Sequence, residues 1–490
     1  MKLDALATEI DALRGDLASA EKVWEPWAAH VAPRHRRSAQ NMIHYWAIRQ
    51  HDLRYLQQRL SEAGLSSLGR CESHVQATLD LISAALTAMR GGEYRAPTEA
   101  AVSVTEGPEL LAHRADELLG PPRDERSVRI MVTLPSEAAH DRTLVTDLVA
   151  AGMDVARINC AHDDATAWRA MAAHVRAADP SCLVAMDLAG PKLRTGRIEH
   201  PDGALRLGPG DRLRLMPEER DAPSGQDDMP CVGVTLPELF DHVGAGDAIF
   251  FDDGKLGGVV ESVDPDALTV RISHPGQGTA KLKSGKGINV PDTELSISAV
   301  TDKDVEDLAT IVDIADIVEV SFVQDPDDVL RLIDELDRRD ADALGVVLKI
   351  ETRQAFAKLP QLLLTAMRRR RVGVMVARGD LAVEVGYERM AEIQEEMLWL
   401  CEASHLPVLW ATQVLERLAK KGQPTRAEVS DAAMGVRAEC VMLNKGPYIT
   451  DAVSALDSIL RRMEAHTYKK RSLLRTLRSW RPDASTLPRA

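Results

Sequence analysis

Residues 185–196 read AMDLAGPKLRTG. An apolar run ends in Asp187, crosses a Gly190-Pro191 turn and delivers Lys192 and Arg194 a few residues later. The same pattern recurs along the chain. Short β-rich runs (RIMVTL, MDVARIN, CLVAMDL and, after a gap, DIVEVSFV, GVVLKI, VGVMVA, PVLWAT, CVMLN) alternate with amphipathic segments such as DRTLVTDLVAAG, ATAWRAMAAHVRAA and ERMAEIQEEMLWLCEASH. Near-continuously apolar strands are those buried on both faces of a parallel sheet. Eight of them, most followed by a helix, predict an α/β fold of the (β/α)8 TIM-barrel type, with its chemistry at the C-terminal ends of the strands.

Outward from that barrel, assigned to 128–196 and 289–466, three other zones are distinguishable. Residues 197–288 carry Gly- and Pro-rich turns and short alternating strands (GALRLGPGDRLRLM, GAGDAIFFDDGKLGGVVESV), which predict a small β domain inserted after the third barrel strand. Residues 1–118 show apolar spacing of helical period broken at Pro33, Gly64–Gly69 and Gly91-Gly92, and predict an all-α extension of three or four helices. Trp24, Trp27, Tyr45, Trp46 and Tyr55 are read as its core, and Arg34–Arg37 as a solvated helix start. Residues 467–490 form a basic tail with Leu474, Leu477 and Trp480 near helical spacing, read as a docking helix or a frayed end.

Bulk composition excludes several classes. The 490 residues are 45% hydrophobic and 28% charged, enough apolar content for a large core. A net charge of −15 argues against a general nucleic-acid binder, which needs a broad basic face. No run reaches the roughly 18–20 apolar residues of a membrane span. The charged N-terminus MKLDALATEIDALRGDL has no signal-peptide core, so a cytoplasmic location is expected. The six cysteines (71, 160, 182, 231, 401, 440) are scattered without metal-site spacing and read as reduced thiols.

The barrel strands end in polar residues: Arg157-Ile-Asn159, Asp187, Lys349-Ile-Glu351, Arg378-Gly-Asp380 and Ala411-Thr412-Gln413. Positions i and i+2 of a strand share a face, so Arg157 points with Asn159 and Lys349 with Glu351. A rim salt bridge explains any one such pair; five strands in a row call for more. Glu351 and Asp380 are hard oxygen donors of the kind Mg²⁺ prefers, or Mn²⁺ in its place. Arg157 and Lys349 counter phosphate or enolate charge, and Thr412 offers a hydroxyl. With no P-loop, GxGxxG or catalytic triad, the set reads as phosphoryl-transfer chemistry.

RINCAHDD, AMDLAGPKLRTG, FFDDGKLGGVV, GKGINVP, VSFVQDPDDV, LKIET, MVARGDLAVEVG and WATQVLERLAKKGQPTRAE, in this order, resemble the pyruvate kinase family over about residues 128–466. The resemblance implies transfer of the phosphoryl group of phosphoenolpyruvate to ADP, giving pyruvate and ATP in glycolysis. It implies Lys349, Arg157 and Thr412 as catalytic residues. Glu351 and Asp380 match the divalent-metal carboxylates. Arg157, Arg378, Gly379, Asp380 and Thr412 match the substrate-binding set, and His162, Arg194 and Asp253 the nucleotide side, Asp253 in the lid. Lys192 stands where potassium-dependent members carry Glu, beside the potassium-site positions Asn159 and Asp187. Ala161 and Leu188 replace two of that site's ligand residues, so potassium independence is expected.

Other departures are Thr133-Leu134-Pro135 after the first strand, Asn444-Lys445-Gly446-Pro447-Tyr448 after the eighth, and Gln324 in place of Arg. The chain stops soon after the barrel, so regulation through the family's C-terminal effector domain is not expected. The N-terminal helices are expected either to build a homo-oligomer or to cap the barrel. Two alternatives remain open at this point. One is a barrel enzyme passing the phosphoryl group or enolate to a different acceptor; the other is a metabolite-sensing scaffold.

Overall fold

The computed structural model describes residues 2–97, 100–198, 200, 202–218, 229–295 and 297–472. Leu474, Leu477 and Trp480 of the basic tail lie outside the described residues.

Eight strands close into a parallel barrel: Arg129–Thr133, Val155–Asn159, Leu183–Asp187, Ile317–Val320, Gly345–Ile350, Val372–Ala377, Val408–Ala411 and Cys440–Leu443. Every neighbouring pair is parallel, and the first strand pairs with both the second and the eighth. Register sets the polar ends side by side: Asn159 lies across from Asp187, and Glu319 across from that same Asp187 on the other edge. The helices between strands start where short polar motifs dictate. Thr301 with Asp304, Asp325 with Asp328 and Thr425 with Glu428 form capping boxes, each satisfying free backbone N–H groups of the first turn.

The insertion is a β domain with its own core of Leu213, Phe251, Val270 and neighbours. Its main sheet runs Ile288–Asn289, Ala248–Phe251, Leu256–Asp264, Ala267–His274, Arg212–Pro217, Cys231–Val234, Thr195–Ile198.

The N-terminal region is all-α among its described residues, with five helices rather than three or four: Lys2–Ala28, Arg36–Ile48, Arg54–Glu62, Val75–Met89 and Glu106–Leu119. The fifth is the one that reaches the barrel floor. Leu118 is fully buried among the residues that fill the barrel floor, with Leu119, Met131, Val347 and Met375. Gly345 and Gly373 make room for it, since a Cβ on either would lie 2.6 Å from a Leu118 methyl. Trp24 and Tyr45 are buried as expected, and Trp27 and Trp46 pack partly buried against the core. Tyr55 is not core: it is 70% exposed, under the Arg59 guanidinium. Within the Arg34–Arg37 run, His35 is buried, its Nε2 3.1 Å from the Arg369 carbonyl oxygen. Arg34 pairs with Glu117.

Polar contacts lock this helical layer onto the barrel helix Tyr387–Ser404. Asn41 donates to the carbonyls of Glu72 (2.7 Å) and Ala403 (2.8 Å). His405 bridges Ser38 Oγ and the Ser73 carbonyl, each 2.9 Å away. The layer and the barrel therefore share one continuous hydrophobic core.

Candidate functional site

The barrel mouth carries a buried ion cluster assembled from the ends of the second to sixth strands. Arg157 has three protein acceptors. Nε donates to Glu319 (2.8 Å), Nη1 to the Thr133 hydroxyl (2.9 Å) and Nη2 to Asp187. Lys349 Nζ donates to Ser321 Oγ at 2.6 Å and to Asp187 at 3.0 Å, and lies 3.2 Å from Glu351. Ser321 in turn donates to Asp187 at 3.1 Å. Arg157 and Lys349 are only 6% and 7% exposed, so these contacts act where water screens little.

The electrostatics follow from burial and sign. Burial alone disfavours the charged forms of Arg157 and Lys349, yet surrounding carboxylates hold both firmly protonated, Asp187 first in each case. Asp187, despite burial, is held below its usual range by Arg157 and Lys349. Burial pushes Glu319 up to about 7 against the pull of Arg157. Its Oε1 is buried without a hydrogen-bond partner. Glu351 is raised as well, by burial and by the nearby Asp380, with Lys349 opposing.

Asp380 sits in the first turn of the helix Arg378–Val385. Both its oxygens accept from Lys192 Nζ, at 3.0 and 3.1 Å, and that ammonium lies 5.4 Å from the centre of the Phe322 ring. Lys192 therefore meets the metal-type carboxylate. The expected grouping of Lys192 with Asn159 and Asp187 divides in two: Asp187 belongs to the Arg157–Lys349 cluster, and Asn159 Oδ1 accepts from the Ala161 backbone N–H at 2.9 Å. The turn through Gly190-Pro191 brings Lys192 to the root of the insertion, where a Cβ on Gly287 would lie 3.1 Å from its Cε.

Opposite, Gly379 N donates to Thr412 Oγ1 at 2.7 Å, so the two residues expected on one substrate group do meet. Thr412 holds φ +62, the left-handed region that a β-branched residue rarely adopts. Such strain concentrates at binding sites because the surrounding structure must hold it in place. Arg378 is committed elsewhere. It forks onto Asp431, donates to the carbonyls of Ala411 (3.0 Å) and Thr412 (2.8 Å), and stacks 4.4 Å from the Trp410 ring. Those contacts make it a brace for the Thr412 turn.

On the side of the first, second and eighth strands, His162 lies in the field of Lys445 and Arg194, which with burial lowers its pKa. Arg194 pairs by a backbone bridge with Gly287 and donates to the Gly285 carbonyl at 3.1 Å, at the root of the insertion. Asp253 stands in a turn of positive φ. The turn leans on the barrel: a Cβ on Gly254 would lie 3.5 Å from Tyr387 Oη and from Val383. A cavity of about 380 Å³ between this insertion's hinge and the loop after the fifth strand reaches Lys192, Phe322 and Asp380.

Glu351 and Asp380 fit a divalent cation in donor chemistry: two hard carboxylates close enough for one to raise the other's pKa. Mg²⁺ takes one or two carboxylates and completes its shell with substrate and water. Accordingly, no group of three or more His, Cys, Asp and Glu placed to hold a metal is found among the described residues.

Glu319, Ser321, Thr133 and Lys445 were not singled out as site residues by sequence. The signal for Glu319 was present: a carboxylate inside the otherwise apolar run DIVEVSFV. Ser321 and Thr133 carry no such mark, being hydroxyls acceptable in any strand.

The sequence matches the family model described as "Pyruvate kinase, barrel domain" over residues 125–453. Pyruvate kinase PKLR of Rattus norvegicus is 31% identical over 376 residues, covering 73% of this chain and 63% of that protein. Pyruvate kinase of Geobacillus stearothermophilus is 33% identical over 353 residues, 69% of this chain and 57% of that protein. Pyruvate kinase of Mycobacterium intracellulare is 33% identical over 346 residues, 68% and 70% respectively. The chain thus spans about three fifths of the length of the first two of these relatives. A closed parallel barrel, an ion cluster at its strand ends and a family match across more than half of its length make this chain a member of the pyruvate kinase family.

Proposed function

We propose that this chain transfers the phosphoryl group of phosphoenolpyruvate to ADP. The P–O bond to the enol oxygen breaks, a β-phosphate oxygen of ADP forms the new bond, and the enolate left behind takes a proton at carbon to give pyruvate. The observation that carries the reading is the contact chain Arg157–Asp187–Ser321–Lys349–Glu351. It fixes two permanent cations, pre-oriented by carboxylates, where phosphoryl and enolate charge develop. Arg157 grips the phosphate and Lys349 stabilises the transferring group and the enolate oxygen. The Gly379–Thr412 pair receives the substrate carboxylate. Arg194 and Lys445 form the cationic side for the nucleotide phosphates, with His162 held neutral beside them, and the insertion with Asp253 excludes water. A divalent cation would be held by Glu351 and Asp380, where it neutralises charge on the phosphoryl oxygens.

Lys192 supplies a tethered positive charge at the Asp380 side, which supports a reaction without added potassium. No described helix is long and apolar enough to cross a membrane, and the proposed substrates are small and water-soluble. A lactate-dehydrogenase-coupled assay with phosphoenolpyruvate, ADP and Mg²⁺, run with and without potassium, tests the reading. Turnover well above a Lys349→Met control is expected; turnover equal to that control overturns it.

A further inference from the structure

A second cavity, of about 400 Å³, opens where the helical layer meets the barrel. Its walls come from the end of the helix Arg36–Ile48, the start of Arg54–Glu62, the Gly69–Glu72 loop, Trp399 on the barrel helix Tyr387–Ser404, and Lys470. Among the described residues Arg49 has no carboxylate partner. Its guanidinium donates to Tyr45 Oη at 2.7 Å and lies 5.6 and 5.0 Å from the centres of the Tyr45 and Trp399 rings. Lys470 sits 5.0 Å from the Trp399 ring centre and pairs with Glu72. Arg54 also lines the cavity, held on Asp52, and His51 is held on Asp16.

Two polar atoms on this wall are buried without partners: the Trp399 indole N–H, a donor, and Glu72 Oε2, an acceptor on a side chain only 3% exposed. Leaving such groups buried and unpaired is unfavourable. A wall that offers a planar cation, an ammonium, a stranded donor and a stranded acceptor is complementary to a molecule that accepts strongly at one end and donates at the other. Inorganic phosphate carries both kinds of group but is too small to span a cavity of about 400 Å³, and neutral polyols fail the first requirement. The guanidinium fork suits phosphate geometry in particular. The volume lies in the range of small-molecule sites.

We propose that this cavity binds a small hydroxylated phosphate monoester. Its phosphate is received by Arg49, Lys470 and the Trp399 N–H, and a hydroxyl donates to Glu72. The site is remote from the ion cluster in composition, sharing no residue with it, and Trp399 lies on the helix that directly follows the one bearing Asp380.

Calorimetric titration of the full chain with glycerol 3-phosphate, myo-inositol 1-phosphate and glucose 1-phosphate tests this, with inorganic phosphate and glycerol as controls. At least one monoester is expected to bind saturably and at least tenfold more tightly than either control. Arg49→Gln and Lys470→Met are each expected to weaken that binding at least tenfold; Arg49→Gln is expected to leave the ligand-free melting curve in place, whereas Lys470→Met also strands the buried Glu72 carboxylate and lowers the melting temperature. Lys349→Met, which disables the barrel mouth, is expected to bind as the unmodified chain does, separating this site from the proposed catalytic one. No saturable binding of any of the three monoesters overturns the proposal. So does inorganic phosphate binding as tightly as the best of them, or full affinity in Lys470→Met, which remains decisive if Arg49→Gln fails to fold.

Discussion

Glu319→Gln tests whether the charge count of the barrel mouth is right. Glu319 is fully buried, faces Arg157, Asp187 and Lys349, and is raised from an ordinary 4.5 to about 7, with burial as the main cause. A carboxylate whose folded-state pKa lies above its unfolded value favours the folded state only while protonated. Its contribution is fully present below pH 4.5 and is lost as pH rises to about 7. At roughly 1.4 kcal/mol per unit the whole loss is on the order of 3 kcal/mol, of which about 2 kcal/mol falls between pH 5.5 and 8. Glutamine keeps an acceptor for Arg157 Nε and cannot ionise, so the variant lacks that slope.

Urea unfolding of both proteins at pH 5.5, 6.5, 7.5 and 8.5, at constant ionic strength and followed by tryptophan fluorescence, reads it out. Trp168 and Trp410 are buried in the barrel and report on that unit. The quantity of interest is the difference between variant and unmodified chain, in which every other titrating group cancels. That difference is expected to shift in the variant's favour by about 2 kcal/mol from pH 5.5 to 8. A difference flat across this range refutes the reasoning, because Glu319 is then ionised in the folded chain just as in the unfolded one.

Lys192→Glu brings a third carboxylate beside Asp380 and Glu351; activity in the coupled assay is expected to fall at least tenfold or to become responsive to potassium, and activity unaltered in both respects removes Lys192 from the site. Leu118→Ala leaves a cavity under the barrel floor between Gly345 and Gly373, and is expected to cost about 2–5 kcal/mol in urea unfolding; a loss below 1 kcal/mol shows that the floor collapses onto the gap. His405 and His35 are buried neutral, lowered by burial to about 3 and about 4 from 6.5. Their contribution is complete above pH 6.5 and is lost as pH falls toward 4, so hydrogen-exchange protection along Tyr387–Ser404, corrected for the pH dependence of intrinsic amide exchange, is expected to fall across that window in the unmodified chain and less so in His405→Asn.

The barrel was legible because its strands announce themselves twice, by continuous apolarity and by the polar residue at each end. Capping motifs such as DPDD and TRAE fix helix starts locally, so sequence alone carries them. The fifth N-terminal helix, EGPELLAHRADELL, was not legible. What makes it matter is Leu118 entering the barrel floor, and the partner surface is made by two glycines more than 200 residues away. Tyr55 failed for a related reason: helical spacing says which residues share a face, not which face the barrel covers. In the site, strand alternation places Arg157 and Lys349, which both enter the barrel mouth. Lys192, on a turn, and Arg378, the first residue of a helix, each lie beyond a strand end, where a long side chain can reach any acceptor within several ångströms.

That difference bears on what Lys192 does. A cation standing in for potassium needs only to supply charge near the phosphate, and its exact partner is immaterial at long range. A cation bonded to both oxygens of Asp380 is more constrained, because Asp380 is also one of the two carboxylates suited to a divalent ion. Four carboxylates (Asp187, Glu319, Glu351, Asp380) face three cations (Arg157, Lys192, Lys349) when Glu319 is ionised, and three face three when it is protonated. The resting cluster is therefore close to neutral, which is what allows it to be buried at all. A phosphate dianion and a divalent cation add no net charge to it. Lys192 and Lys349, each already against one of the two metal-type carboxylates, are the groups free to turn from carboxylate to phosphate without leaving the cluster unbalanced. Under the proposed reaction, potassium independence would come from the partner exchange of a tethered ammonium, which requires Lys192 to reach Asp380 in the absence of substrate, as it does here.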